Sequence, residues 1–364
     1  MAVKLIKWID KYIFGLACIT LSPFSMRKRL MFNKLDKILI VKLWAVGESV
    51  LTLPMIKALR EKYPRAEIDV LATPRNKDVY ESCRYVNKVI VMPSVVLRKY
   101  DLVIDCEPWM NISAVLSFFA GKNRIGFSHG KRALVYNKRV HFNDKQHEVL
   151  TFLDLSKQVD AGTEPDKLVK LNVSKEDIKK VNAFLKKNKL NGFFVGIAPG
   201  VAESAKSRMW PLPRYAHLID YIVLKMHGKV LLIGTEKDLP ILSDLKELVD
   251  KKVQKNIVIS AGELTLKQSF GLIGKCKIFV SNDTGPMHIA AAMGVPTLGL
   301  FGPNTPVRFA PYGKKNISIY HRKACSPCIN VHKGQVRECK EGIDCMSDIS
   351  AEEVIEAVEK LRKK

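Results

Sequence analysis

The chain of 364 residues predicts two α/β domains, each a Rossmann-like doubly wound parallel sheet, facing a central cleft. Three observations carry that reading. Short apolar runs alternate with helical patterns along almost the whole chain. A lysine- and asparagine-rich stretch over residues 160–191 divides the alternation in two. Glycine- or proline-marked turns follow the strands of both halves, where ligands of such sheets bind.

In the first half, residues 38–41, 68–71, 89–92 and 102–105 read as strands, because parallel strands covered on both faces are apolar throughout. Residues 124–127 and 138–142 add edge strands. Residues 51–62 have helical spacing and stop at Tyr63-Pro64, since a proline disfavours helix in the residue before it. A further helix follows over 147–159. The dividing stretch carries Gly162, Pro165 and Gly192 as breaks around one charged helix, which Ser174-x-x-Asp177 opens. The second series then runs 194–198, 230–233, 257–259, 278–280, 297–301 and 317–319. A last helix spans 350–361.

The formal charge of +24 predicts attraction to anionic surfaces. Nucleic acid is the weaker partner, because no aromatic-interleaved RNA motif, DNA-reading zinc finger or helix-turn-helix pattern is present. At the N-terminus, Lys4, Lys7 and Lys11 precede an apolar run over 13–21, and Arg27-Lys28-Arg29 follows it. The run is too short to span a bilayer, which takes about 20 apolar residues. No small-x-small cleavage site follows it. Two readings stay open: a helix lying on an anionic membrane surface, or a helix packed on its own domain.

Eight cysteines without a clear secretion signal fit a reducing compartment. Cys18, Cys83, Cys106 and Cys276 sit in apolar settings and read as small core residues. The other four form Cys325-x2-Cys328-x10-Cys339-x5-Cys345. Free thiols are the default for them and a structural zinc the alternative, the second gap being wide for a zinc ribbon.

The most informative stretch is Ser281-Asn282-Asp283-Thr284-Gly285-Pro286-Met287-His288, which follows an apolar strand run. Gly285 permits a sharp turn, Pro286 suits the first helical position, and Gly294 closes the helix. The free N–H groups of that first turn, at the positive end of the helix dipole, make an anion site. Asp283 and His288 stand at its mouth as partners for hydroxyls.

This signature, with Gly294-x-Pro296 and Phe301-Gly-Pro303, resembles that of glycosyltransferase family 9, the ADP-heptose:lipopolysaccharide heptosyltransferases and their relatives. Its other markers follow in order: Val46-Gly47-Glu48-Ser49-Val50, Arg124-Ile-Gly-Phe127, Pro199-Gly200 and Arg208-Met-Trp210-Pro211. The resemblance runs from about Lys37 to the C-terminus. It implies the GT-B fold and an inverting, metal-independent transfer of a heptose-like sugar from an ADP-sugar to an anionic glycolipid of the lipopolysaccharide core.

On that resemblance Glu48 is the base, at the position where the family usually has aspartate. Arg208, with Lys206 beside it, meets the departing diphosphate. Thr284 and Gly285 take the phosphates, with Asp283, His288, Pro199 and Gly200 around them. Glu236 resembles the family's ribose-binding carboxylate, and Leu264 lines the base pocket. Arg124, Arg132, Lys138 and Arg139 form a basic group where the fold holds its acceptor. The expected divisions are an N-terminal segment 1–32, an acceptor domain 33–175, a nucleotide-sugar domain 176–349 with the cysteine-rich tail, and a helix 350–364 packing back on the first domain. The expected partners are a nucleotide sugar, the anionic glycolipid and the inner-membrane surface, with no cofactor. The expected location is the cytoplasmic face of that membrane, as a peripheral protein. The rival readings are a different nucleotide sugar, or an envelope protein that binds nucleotide sugar without turning it over.

Overall fold

The computed structural model describes residues 2–25, 35–94, 97, 99–330, 335–336, 339 and 344–363. The chain divides into two compact units, which change over between Pro165 and Asp166. The division expected at residue 175 therefore falls about ten residues earlier. The charged helix Lys175–Lys187, capped by Ser174, belongs wholly to the second unit. The reason is apolar packing: Val181 lies against Gly271 of the helix Leu266–Ile273.

The first unit holds β1 (Lys37–Val41), β2 (Glu67–Ala72), β3 (Lys88–Val91), β4 (Tyr100–Asp105), β5 (Gly121–Phe127) and β6 (Lys138–Val140). They form one parallel sheet in the order β3-β2-β1-β4-β5-β6. The second unit repeats the plan with β7 (Phe194–Ala198), β8 (Lys229–Leu232), β9 (Ile257–Ile259), β10 (Ile278–Asn282), β11 (Thr297–Phe301) and β12 (Ile317–Tyr320). Its order is β12-β11-β10-β7-β8-β9, also all parallel. Every strand expected from the apolar runs is present, and the central ones are buried almost throughout. In each sheet the chain order reverses once, between β1 and β4 and between β7 and β10. A crevice opens at the carboxyl ends of such neighbours, and those ends place the functional side chains.

The N-terminal segment is part of the first unit. It is helical through Ala2–Ile9, the wider-wound Asp10–Phe14 and Gly15–Leu21. Buried Asp10 accepts hydrogen bonds from the backbone N–H groups of Asn111 (3.0 Å) and Ile112 (2.9 Å), capping the helix Asn111–Ala120. Cys18 packs with Ala114, Val135 and Tyr136. The opposite face keeps Leu5, Ile6, Trp8, Tyr12, Ile13 and Leu16 exposed. One face of the segment is thus packed on its own domain, and the other is left open. The separate division at residue 32 does not stand. Arg27, Lys28 and Arg29 lie outside the described residues, and no helix of the described residues is long and apolar enough to cross a membrane.

The last helix, Ala351–Arg362, opens with a Ser350–Glu353 capping box. It belongs to the second unit and packs in that unit's core, where the sequence reading sets it apart as a helix returning to the first domain. Its Val354, Val358 and Leu361 complete the core formed by Leu218, Ile222 and Val280, and the Tyr221 hydroxyl donates to Glu359 at 2.8 Å. Cys83, Cys106 and Cys276 are buried, as their apolar settings predict.

Candidate active site

In the first unit, Glu48 lies in the first turn of the helix Val46–Lys62, which begins five residues earlier than its apolar spacing suggests. Lys42, the residue after β1, is completely buried and reaches Glu48 Oε2 at 2.6 Å and Glu107 Oε1 at 3.3 Å. Glu107 follows β4, so the two carboxylates come from the two sides of the switch point. Glu107 Oε1 also accepts from the backbone N–H groups of Leu43 (2.6 Å) and Trp44 (2.8 Å), pinning the turn between β1 and the helix. Ala45 closes that turn with φ 66°, a strained value for a residue with a side chain.

Burial alone would lower the Lys42 pKa, but the carboxylates of Glu107 and Glu48 outweigh it and hold the ammonium above the usual lysine range. Burial raises the Glu107 carboxyl, with Lys42 opposing. The Glu48 side chain is 14% exposed. Its Oε2 is committed to Lys42, so Oε1 is the atom available to a hydroxyl. Neither Lys42 nor Glu107 is apparent from the motifs. A lysine ending an apolar strand, and a carboxylate two residues past the neighbouring strand, were the available signals.

The basic group expected to hold an acceptor is largely interior. Arg124 donates to the carbonyls of Val135 (2.7 Å), Gly121 (2.8 Å) and Lys122 (2.9 Å). Arg132 pairs with Asp105 at 3.0 Å and donates to the Tyr136 hydroxyl at 2.7 Å and to the Glu107 carbonyl. Both guanidinium groups are consumed in holding β4, β5 and the loop after β5, so neither is presented to a ligand. Arg139 and Lys138, on the edge strand, are exposed.

In the second unit, Pro199 and Gly200 follow β7, and Asp283 and Thr284 follow β10, again at the switch point. Asn282 joins them, donating to the Pro199 carbonyl at 2.8 Å and accepting from the Trp210 backbone N–H at 3.1 Å. Trp210 is fully buried and its indole N–H donates to the Ile349 carbonyl at 2.9 Å. The Trp-Pro element thereby aims Arg208. Its Nη1 lies 3.2 Å from Asp283 Oδ2 and donates to the Asp283 carbonyl at 3.0 Å. Lys206 instead points outward and pairs with exposed Glu203 at 2.7 Å.

The helix Gly285–Ala292 has Thr284 as its N-cap, Pro286 is its second residue where the sequence puts it first, and Gly294 ends it with φ 81°. Gly285 itself is the first helical residue. Two residues differ from expectation. Asp283 is buried, held by Arg208 and by the Asn304 amide at 2.7 Å, so it positions rather than receives hydroxyls. His288 is buried, its ring 6.5 Å from that of Phe309 in the short helix Pro306–Phe309, while Met287 before it lies against Gly299 of β11. Thr284 stays half-exposed, its hydroxyl 3.1 Å from that of Ser281.

Glu236 is exposed at the end of β8, and Gly262 approaches its Cγ, so the loops bearing Glu236 and half-exposed Leu264 adjoin. Gly200 abuts Asp238: a Cβ at Gly200 would stand 2.7 Å from Asp238 Oδ1, so only glycine allows this approach. In the tail, Cys328 and Cys345 pack at Pro303 and Gly302, and burial followed by the three neighbouring cysteines raises the Cys345 thiol to about 11. Among the described residues no group of three or more His, Cys, Asp or Glu is arranged to hold a metal ion.

Comparison with known proteins gives a consistent picture. The profile of glycosyltransferase family 9 (heptosyltransferase) matches residues 93–338. Lipooligosaccharide heptosyltransferase 2 of Haemophilus ducreyi is 29% identical over 352 residues, spanning 89% of this chain and 99% of that protein. Among solved structures, the glycosyl transferase family 9 protein of Veillonella parvula superposes with a TM-score of 0.76 at 22% identity, over 90% of this chain and 97% of that one. The ADP-heptose lps heptosyltransferase II of E. coli gives a TM-score of 0.72 at 24% identity, over 90% and 98%. At these identities the structural likeness speaks to the fold, a GT-B pair of Rossmann-like units.

Proposed function

Because the chain belongs to glycosyltransferase family 9, we propose that it moves a heptose from ADP-heptose to an anionic glycolipid acceptor of the lipopolysaccharide core. The observation that carries the chemistry is Arg208, brought by Asp283 to the N-terminus of the helix Gly285–Ala292. The guanidinium stands there beside the Thr284 hydroxyl and the positive end of the helix, at the switch point of the second unit. That combination suits a leaving diphosphate.

In this reading the acceptor hydroxyl gives its proton to Glu48 Oε1 as its oxygen attacks the anomeric carbon. The bond from that carbon to the diphosphate oxygen breaks, and ADP leaves with the electron pair. One displacement inverts the anomeric centre. Lys42 keeps Glu48 oriented through Oε2 while Oε1 works. Arg208 and the positive end of the helix offset the charge on ADP, so the transfer step needs no divalent ion. Pro199, Gly200, Thr284, Gly285, Glu236 and Leu264 line the nucleotide site, with Asp283 and His288 supporting it from beneath, and Arg139 remains as an acceptor contact.

A glycolipid acceptor requires work at a membrane. The exposed apolar face of the N-terminal helices, with Lys7 and Lys11 on its flanks, supports a peripheral seat on the cytoplasmic face of the inner membrane. The test of the whole reading is transfer from a panel of ADP-, UDP-, GDP- and CDP-sugars with and without EDTA. ADP-heptose should be used and EDTA should leave the rate intact. Preference for another nucleotide would overturn the donor, and loss of rate restored by Mg²⁺ or Mn²⁺ would overturn metal independence.

A further inference from the structure

Trp44 lies four residues before Glu48, on the turn that follows β1, and its side chain is unusual for a residue at the end of a buried strand. It is 44% exposed, although Leu43 before it is buried. Arg75, from the loop after β2, lies over the ring with its guanidinium carbon 5.0 Å from the ring centroid. Arg75 is itself exposed. An aromatic face and a cation therefore stand together at the carboxyl end of the sheet.

The backbone that carries the pair is held by buried groups. The Trp44 backbone N–H donates to Glu107 Oε1, the same atom that meets Lys42, and Lys42 in turn holds Glu48. Asn76, fully buried next to Arg75, donates to the Lys42 carbonyl at 3.0 Å and to the Ser49 hydroxyl at 2.8 Å. The strained Ala45 between Trp44 and the helix is tolerated because these bonds over-determine the turn. The backbones that carry the ring and the guanidinium are thus fixed close to the carboxylate in the chain, and preorganisation of this kind lowers the cost of binding.

We propose that Trp44 and Arg75 form the acceptor subsite. The indole takes the apolar face of the sugar that carries the accepting hydroxyl, and the guanidinium takes an oxyanion, carboxylate or phosphate, on that saccharide. The argument rests on the proposed function, because whatever yields a proton to Glu48 must lie against its neighbours. Arg suits either oxyanion through paired donors, and stacking on an aromatic face orients a ring without fixing its substituents.

The experiment uses the full chain, wild type and the variants W44A, W44F, R75A and R75K. The acceptors are three lipid-linked oligosaccharides: one with carboxylates only, one with phosphates only and one neutral. The KM for acceptor should rise about tenfold in W44A and in R75A, with ADP-induced thermal stabilisation unchanged, and W44F should recover most of the loss. Wild type should favour one anionic acceptor over the neutral one, identifying the oxyanion, and R75A should lose that preference. R75K should fall between, lacking the paired donors. Acceptor KM values within about twofold of wild type in both W44A and R75A would overturn the subsite while leaving the transferase reading intact. Absence of transfer by wild type from every nucleotide sugar would overturn that reading and the subsite together.

Discussion

Lys42 Nζ stands 2.6 Å from Glu48 Oε2, with no part of the lysine side chain in solvent. A partly exposed carboxylate is thus anchored by a buried cation, which also pairs with the wholly buried Glu107. The arrangement leaves one carboxylate oxygen of Glu48 free to act and removes its freedom to swing. It also makes Lys42 the centre of a charge network whose members depend on one another.

Replacing Lys42 by Met should cost about 3–5 kcal/mol of stability, the range for leaving a buried charge without its partner. The double variant K42M/E107Q should regain a good part of that loss, since an amide oxygen at position 107 still accepts the Leu43 and Trp44 N–H bonds. Urea unfolding of the three proteins decides it, and a loss under about 1 kcal/mol in K42M would mean the network carries little. The sign of the pH dependence follows. Lys42 has its pKa raised on folding, so its contribution is complete below the ordinary lysine value, about 10.4, and fades only as pH rises toward the higher folded value. Alkaline titration to about pH 10 should therefore spare this part of the stability.

Glu48→Gln should lower turnover by about 10² to 10⁴ with little change in donor affinity, as expected for loss of a general base. The fold should persist, because Glu107 still faces Lys42. Glu48→Asp should retain partial activity, limited by a carboxylate that cannot reach both Lys42 and the acceptor. Normal turnover by the Gln variant removes Glu48 from the mechanism.

The two basic residues before Trp210 should separate sharply. Arg208→Ala should reduce kcat by about 10² to 10³, comparable to losing one preorganised donor at a developing anion. Arg208→Lys should recover only part of it, because a point charge replaces a fork already aligned by Asp283. Lys206→Ala should matter little, since that side chain is exposed and spent on Glu203. Steady-state kinetics of the three variants tests this, and equal losses at both positions contradict it.

Asp69 gives a stability test remote from the site. It lies buried on β2, accepting from the Tyr100 hydroxyl at 2.6 Å, with Oδ1 unpartnered, and burial raises its pKa despite that bond. A carboxyl raised on folding binds its proton more tightly in the native state, so native stability falls as pH climbs from the ordinary aspartate value, about 3.9, through the raised one. Asp69→Asn removes that titration. The variant should gain on wild type as pH rises above about 4 in parallel melting curves, and a difference independent of pH would refute the assignment.

The sheet was legible because its physics is local. Each strand is a continuous apolar run such as residues 38–41 or 297–301, and the turns after them carry glycine, proline or a capping residue. Glu48, Arg208 and Thr284 were picked out by their motifs, and the structure sets them in the connections that follow β1, β7 and β10. The charge network was not. Lys42 and Glu107 are 65 positions apart and meet only because β1 and β4 are neighbours across the switch point. Arg124 and Arg132 misled because exposure cannot be read from a basic residue alone. Their burial is made tolerable by partners such as Asp105 and the Val135 carbonyl. The seat of the last helix was likewise a question of which apolar stripe its Val354 and Val358 would meet.

The N-terminal helices yield the last prediction. Composition alone left residues 1–30 open between a membrane-surface helix and a helix packed on its own domain. The structure gives the segment two faces with separate tasks. Removing residues 2–25 strips Asp10 from the Asn111 and Ile112 N–H groups and uncovers Ala114, Val135 and Tyr136. Loss of one cap alone typically costs about 1 kcal/mol, and exposed core adds to it. The truncated protein should therefore melt several degrees lower or fail to stay in solution. The outward face can be changed without that damage: Leu5 is 58% exposed, Trp8 55%, Tyr12 49% and Leu16 59%. These residues recur at helical spacing, and Lys7 and Lys11 stand among them, each able to add about 1 kcal/mol near an anionic surface. Changing Leu5, Trp8 and Leu16 together to Ser should keep the melting temperature and weaken sedimentation with phosphatidylglycerol vesicles. Changing Lys7 and Lys11 to Gln should weaken it at low salt and make little difference at high salt, where exposed charges are screened. Undiminished vesicle binding by the triple Ser variant would show that this face does not meet the lipid, and the membrane contact would then fall to the rest of the +24 charge.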